Sequence, residues 1–482
     1  MTSATSSAEP EIDGLESGRL TRFQLTSLSI SSMIPAVGMA SFPMLLVINA
    51  GAGSWLAALI SALTIVCVGR AVIAFARRYV ASGSLYSYVG EVFGAWARSL
   101  TAASLLLGYL AMVASILLVI GAYTGSFLLS IGVDSGLDPA MQIALYAGAS
   151  IVTALITYRG LDASVRIAVA LTVVCLPLLL VVTGASAAHT GLHLQEQLTL
   201  DGSSVSGIVA GIASGSAFLV GFEGSAALAA ETRDPKRSVP VAVMSVPVIL
   251  GALYLIATIL QAPGIILVSD AMAAGASPPA ALAHAAGLPD GVGRATDLVV
   301  AVSTFAALIG FVNYGSRFAA TLSAEGLLPR RLARVHPRFH SPAYALLLTI
   351  ACGLGGIVTL VLASSGPMQT IYSAISTLVV YFWVIPYTLI CVGAAVLLFQ
   401  EGKLTAGTVV CLLIGTGSVV WVYISGILFP PPSPADAMSY VAVSATAVLA
   451  VSFAWVARRR RRAATAGREG GEADARASTG RP

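Results

Sequence analysis

An all-α polytopic bundle of about twelve membrane-spanning helices is the fold class that this chain predicts, on three observations. Of its 482 residues, 57% are hydrophobic and only 10% charged, with a mean hydropathy of +0.89. A soluble globular protein carries about 25% charged residues, so this chain cannot clothe a water-facing surface. The apolar residues also lie in unbroken runs such as Leu178-Leu179-Leu180-Val181-Val182, without the alternation of a transmembrane β-barrel. Finally, with twelve crossings and a cytoplasmic N-terminus, every one of the 26 basic residues except Arg294 falls on the cytoplasmic side. A miscounted span would reverse the side labels downstream and scramble that pattern. An integral protein of the plasma membrane with both termini inside is therefore expected.

Each crossing needs roughly 20 apolar residues. In order, the runs are Gln24–Ile48, Ser54–Ala76, Ala97–Leu129, Pro139–Tyr158, Val165–Thr183, Val205–Ala230, Val239–Gln261, Val292–Leu322, Tyr344–Leu362, Met368–Leu398, Leu404–Leu428 and Ala437–Val456. Charged or Pro/Gly-rich breaks separate them. Residues 1–20 are polar and acidic, without the basic start and apolar core of a signal peptide, so span 1 is expected to serve as the insertion signal. Both 1–20 and the basic segment 458–482 read as disordered cytoplasmic tails, since neither can bury enough apolar surface to fold. Arg458–Arg462 reads first as a stop-transfer anchor and second as a contact with anionic membrane lipid.

Two spans carry helix-disfavouring interruptions. Span 1 reads Met33-Ile34-Pro35-Ala36-Val37-Gly38-Met39-Ala40-Ser41-Phe42-Pro43, and span 6 reads Gly215-Ser216-Ala217-Phe218-Leu219-Val220-Gly221-Phe222-Glu223-Gly224. Proline removes helix hydrogen bonds, and an unsatisfied amide at membrane depth is tolerated only inside protein or beside a polar cavity. Broken helices at matching places in two halves point to a transporter's binding site. Close helix packing is the competing explanation for the glycines. Glu223 stands out, because an ionisable group inside a span costs about 2.5–3.5 kcal/mol on insertion scales and usually marks an ion or substrate pathway. Ionised, it attracts a substrate ammonium; able to bind a proton, it serves coupling. The alternative is a structural acid hydrogen-bonded to a neighbouring span.

Other chemistry is not indicated. All five cysteines sit in apolar runs without CxxC spacing, which argues against disulfides and thiolate metal sites. His189 and His193 lack a second ligand pair, so a solvated loop is the better reading and no metal is expected. The chain shows no HExxH, GxSxG or P-loop, hence neither an enzyme nor a primary pump, and no cofactor. Dispersed basic residues give no nucleic-acid face.

Three stretches carry a resemblance. Glu231-Thr-Arg-Asp-Pro-Lys-Arg-Ser-Val-Pro240 follows span 6. Asn313-Tyr-Gly-Ser-Arg317, Ala324-Glu-Gly-Leu-Leu-Pro-Arg330 and Val335-His-Pro-Arg338 follow or close span 8. Ala76-Arg-Arg-Tyr79 with Ser82-Gly-Ser-Leu-Tyr-Ser-Tyr-Val89 enters span 3. Together they resemble amino acid permeases of the amino acid-polyamine-organocation superfamily. The resemblance implies a leucine-transporter-like 5+5 inverted repeat, here 24–183 and 205–398, with two peripheral helices at 404–457. It also implies alternating-access uptake of an amino acid or related small amine, coupled to H+ or Na+. The alternative function is a channel or facilitative exchanger for small organic cations such as polyamines, and a homo-oligomer is left open. In such a site, amides around Ala36, Val37, Gly38 and Met39 would hold a carboxylate. Backbone of Val220, Gly221, Phe222, Glu223 and Gly224 would hold the ammonium, with Phe222 as a cap and Tyr109 and Thr304 as walls. Coupling-ion candidates are Glu223, Ser303 and Thr304. The chain departs from the family at Ala36, where the first glycine of a Gly-x-Gly is expected, and at Cys175, where some proton-coupled members carry a lysine.

Overall fold

The structure is a computed structural model that describes residue 18 and residues 20–33, 35–79, 85–159, 161–364 and 366–479, with backbone only at 161–165, 167–169, 171–172, 230 and 461–479. Ile34, the start of the Ser82 motif and most of the N-terminal tail lie outside the described residues. Among those described, regular structure is helical apart from one bridge that pairs Leu20 with Thr232. Eleven stretches are long and apolar enough to cross a membrane. The first, Arg22–Ala76, has 55 residues, far more than one crossing requires. The short 3-10 turn Gly51–Gly53 divides it, so it makes two crossings and the total is the expected twelve.

Span 1 comprises the helices Arg22–Ser32 and Pro35–Ala50, followed by span 2 at Ser54–Ala76, span 3 at Ala95–Ser130, span 4 at Pro139–Tyr158 and span 5 at Leu161–Thr190. Span 6 starts as the helix Val205–Gly215 and ends as the 3-10 helix Phe222–Glu231. Spans 7 to 11 are Pro235–Leu267, Asp290–Ala324, Ala343–Ala363, Met368–Gln400 and Ala406–Leu428. Local chemistry sets several starts. Thr21 and Gln24 form a reciprocal capping box that opens span 1, Pro139 and Pro235 occupy the first helical position of theirs, and the Thr405 side chain caps span 11. Large apolar side chains such as Leu155, Val174, Leu413 and Val448 stay exposed on the bundle's outside, as a lipid-solvated surface requires.

Three sequence expectations shift. The span 1 interruption falls after Ser32, at Met33, where the helix Arg22–Ser32 ends before Pro35, and not around Gly38. Proline is tolerated at a helix start, where its missing N–H would have no partner, and the helix runs on through Gly38 and Pro43 to Ala50. Gly38 serves close packing: a Cβ there would lie 2.0 Å from the Tyr254 ring of span 7. Of the segment expected as a disordered C-terminal tail, residues 458–479 instead continue span 12 as one helix, Met438–Thr479, rich in Ala and Arg, which favour helix.

The span 6 interruption matches expectation. Gly221 adopts φ +81, a left-handed conformation that glycine enters without a Cβ penalty. The following 3-10 run covers ten residues, well beyond the usual three or four, and such stretches often mark hinges.

Candidate functional site

The two helix breaks meet at one cavity. Ser32, Met33 and Val37 beside the span 1 break and Ala217 and Phe218 in the span 6 break line a space of about 40 Å³. Span 3 contributes Met112, Ser115, Ile116 and Val119, span 8 contributes Thr304, Ala307 and Phe311, and span 10 contributes Tyr372 and Ser376. The first amides of a helix lack intrahelical acceptors, and Pro35 has no N–H, so the span 1 break presents the amides of Ala36 and Val37. The positive end of the helix dipole lies there as well.

Beyond Val119 and Tyr372, which line both spaces, a vestibule of about 390 Å³ opens toward the end remote from the termini, with Ser41, Tyr123, Gly275 and Gln369 in its wall. Toward the termini the cavity is sealed in layers. Ser32 Oγ lies 3.0 Å from Tyr314 OH. Next come Glu223, Trp383 and Tyr387, and then Arg317, whose Nε donates to Glu231 Oε1 at 2.7 Å and whose Nη1 donates to Asn313 Oδ1 at 2.9 Å. Arg317 and Glu231 are 3% and 7% exposed, so this is a buried ion pair. Outermost, Glu325 accepts from Arg98 Nη2 at 2.5 Å and from Tyr86 OH. Leu20 clamps the same end through backbone bonds to Glu231 and Arg233. The three quoted motifs thus converge on this seal through Tyr86, Glu231, Arg317 and Glu325.

Of the residues expected at the binding site, Val37 and Thr304 line the cavity. Ala36 is buried next to it. Met39 does not line it, and its carbonyl accepts from Gln261 Nε2 at 3.0 Å. Val220, Gly221, Phe222, Glu223 and Gly224 sit one step toward the termini, so Ala217 and Phe218 take the cavity-facing place expected of them. The Gly221 amide donates to Tyr387 OH at 2.9 Å. Phe222 packs 5.8 Å from the Tyr387 ring and does not cap the cavity. Tyr109 packs against Trp383 and Phe318, at 5.6 and 5.7 Å. Glu223, fully buried, accepts from Trp383 Nε1 and from Tyr387 OH, each at 2.7 Å. Its carboxylate is therefore anchored to span 10.

The hydroxyls of Ser303 and Thr304 both donate to the Val300 carbonyl, at 3.0 and 2.7 Å, within their own helix. Cys175 Sγ lies 3.3 Å from Val299 O. No group of three or more His, Cys, Asp or Glu that could hold a metal occurs among the described residues. His193 instead bonds Glu196 and the Thr190 carbonyl, each through one ring nitrogen.

Sequence reasoning missed Trp383 and Tyr387, whose aromatic character reads as ordinary lipid-helix composition. It also missed Asp297, although the criterion that singles out Glu223 applies to any carboxyl in a span. Asp297 is fully buried; Ser126 Oγ donates to its Oδ2 at 2.6 Å and Ser277 Oγ donates to its Oδ1. The Ser277 amide in turn donates to Ser126 Oγ at 2.9 Å. The cluster ties the loop before helix Pro278–Ala285 to spans 3 and 8.

Two interrupted helices meeting at a cavity sealed on one side and approached from the other are the arrangement of a membrane transporter of the broken-helix class. Residues 20–453 match the amino acid permease family, and the chain belongs to it. An uncharacterized transporter of Mycobacterium tuberculosis (strain ATCC 25618 / H37Rv) is 26% identical over 338 residues, covering 69% of this chain and 71% of the relative. A D-serine/D-alanine/glycine transporter of Escherichia coli (strain K12) is 30% identical over 186 residues, 38% of each chain. A structure described as the substrate-bound outward-open state of a Na+-coupled sialic acid symporter superposes with a TM-score of 0.53 at 12% identity, covering 86% of this chain and 91% of the other. That likeness establishes the shared leucine-transporter-like fold. The chain is thus an integral membrane transporter.

Proposed function

We propose that this permease accumulates an amino acid across the cell membrane by alternating access, driven by a H+ or Na+ gradient, with its termini in the cytoplasm. The carrying observation is the meeting of both helix breaks at a cavity with a vestibule on one side and four polar layers on the other. A channel favours a continuous pore, and this arrangement offers a substrate one open face at a time. The relative named for D-serine, D-alanine and glycine supports an amino acid as cargo. Arg233, Lys236, Arg237, Arg330, Arg331 and Arg334, in the segments between spans and the first turn of span 7 at the terminus end, support the orientation by the positive-inside rule, which makes the vestibule extracellular.

In this reading the Ala36 and Val37 amides hold the substrate carboxylate, as helix N-termini hold anions. Backbone at Ala217 and Phe218 faces the ammonium. Glu223 acts from behind, where its bonds to Trp383 and Tyr387 fasten span 6 to span 10. A change in its charge alters that fastening and links coupling to opening of the seal. Purified protein in proteoliposomes, given radiolabelled amino acids under imposed H+ or Na+ gradients, tests this. Saturable accumulation above equilibrium that collapses with one gradient is expected. Flux that only equilibrates, or that requires substrate on the opposite side, would overturn it in favour of a channel or an exchanger.

A further inference from the structure

Building on the amino-acid reading, we infer that the cargo is one of the smallest neutral amino acids and that span 10 reads a hydroxyl on its side chain through Ser376 and Tyr372. Size comes first. A water-sized probe needs about 10–15 Å³ of such space, and the cavity offers about 40 Å³. Met112, Ile116, Phe218 and Phe311 wall it, so a branched or aromatic side chain requires that they move apart.

Charge narrows the class further. Among the described residues, no acidic or basic side chain lines the cavity. Glu223, the nearest carboxyl along span 6, is turned away and bound by Trp383 and Tyr387. A cationic or anionic side chain would enter without a counter-charge, which a low-dielectric site penalises.

The polar groups supply the selectivity. Thr304 Oγ1 already donates to Val300 O, and Ser32 Oγ to Leu28 O. Ser376 Oγ, in a wholly buried residue, and Tyr372 OH make no hydrogen bond among the described residues. Ser41, which shares the vestibule wall with Tyr372, bonds Tyr123 OH at 2.8 Å and stands near enough to Tyr372 OH to interact with it electrostatically, outside hydrogen-bond distance. Tyr372 and Ser376 lie four residues apart, on one face of span 10, and both line the cavity. A buried hydroxyl left unpaired is unfavourable. A substrate hydroxyl donates one bond and accepts others, so it satisfies both groups at once, whereas a methyl side chain satisfies neither. A site built to bond a substrate hydroxyl discriminates strongly against the analogue that lacks it.

The test is competition against radiolabelled serine uptake in proteoliposomes of the full chain, with unlabelled serine, alanine, leucine, lysine and glutamate, each as D and L forms. Serine of the preferred hand is expected to compete at a roughly tenfold lower concentration than alanine, and leucine, lysine and glutamate are expected to fail even in large excess. Ser376→Ala and Tyr372→Phe should each bring the serine-to-alanine ratio toward one. Alanine competing as well as serine in the wild type, effective competition by leucine or lysine, or an unchanged ratio in both variants would overturn the inference. Absence of uptake for every amino acid would instead overturn the reading beneath it, so the two failures are distinct.

Discussion

At the end that carries the termini, two arginine–carboxylate pairs tie span 8 to its neighbours, Arg317–Glu231 to the end of span 6 and Arg98–Glu325 to span 3. At the opposite end a lone carboxylate, Asp297, is held by the hydroxyls of Ser126 and Ser277, between the 390 Å³ vestibule and a cavity of about 580 Å³. The contrast concerns what each closure leaves behind when it opens. Separated ions need water or a new partner, whereas a serine released from a carboxylate remains a neutral group. In the proposed cycle, opening the terminus end would require water or new partners for the separated ions, whereas opening the vestibule end would release only neutral hydroxyls from Asp297.

The largest expected effect follows from breaking the buried pair. Removing one partner of such a pair typically costs about 3–5 kcal/mol, because the other charge stays buried without its mate. Arg317→Ala should thus lower thermal stability in detergent more than Glu223→Gln, Asp297→Asn or Ser303→Ala, stranding both Glu231 and Asn313 Oδ1. Glu231→Ala should approach it, and the double variant Arg317→Met with Glu231→Leu should recover much of the loss. Melting shifts that simply add would show that the two residues do not act as a pair.

Next in size is Glu223→Gln. Hydrogen bonds to a charged group contribute about 1.5–3 kcal/mol, and an amide cannot accept from both Trp383 Nε1 and Tyr387 OH as the carboxylate does. Uptake should fall by roughly tenfold or more, with membrane expression retained, since the change leaves no buried charge. Wild-type rates in the variant would remove Glu223 from the coupling role.

At the weaker end, Asp297→Asn keeps one accepting oxygen and turns an N–H₂ toward the other serine. A loss of about 1–2 kcal/mol in the hold on the Ser277 loop is expected, read as a raised half-saturation concentration for uptake with the maximal rate less affected. Labelling of a cysteine placed at Ala276, in the vestibule wall, by a membrane-impermeant thiol reagent should speed up. Unchanged labelling would show that the Asp297 cluster does not position that loop.

These ends differ in how far the sequence revealed them. The terminus-end seal was legible, since Glu231, Arg317, Glu325 and Tyr86 all lie in the motifs that carry the family resemblance. The twelve crossings were legible too, because lipid imposes long apolar runs and charge asymmetry on any sequence. The break in span 6 announced itself through glycines flanking Glu223. Span 1 misled because a proline weakens a helix interior yet suits a helix start, and only the fold shows which of those positions Pro35 occupies. The partners of Glu223 stand 160 and 164 residues further along, a pairing set by packing of span 10 against span 6 that no local pattern encodes. Asp297 was visible as a carboxyl in a span, but its serine partners come from two other elements.

Between the two ends lies the smallest expected effect, at Ser303. Its hydroxyl, fully buried, donates to Val300 O at 3.0 Å, a bond that serine commonly makes inside helices, and the residue does not line the cavity. Ser303→Ala then exchanges one satisfied hydroxyl for a methyl and leaves the Val300 carbonyl its bond from Thr304 Oγ1. Uptake should stay within about twofold of wild type under either gradient, because removing both the donor and the need for it is nearly neutral. A loss of roughly tenfold confined to Na+-driven uptake would place a cation between spans 1 and 8 and shift coupling away from Glu223. A near-neutral Ser303→Ala beside a severe Glu223→Gln would locate coupling at the span 6–span 10 contact, immediately above the charged seal that must open.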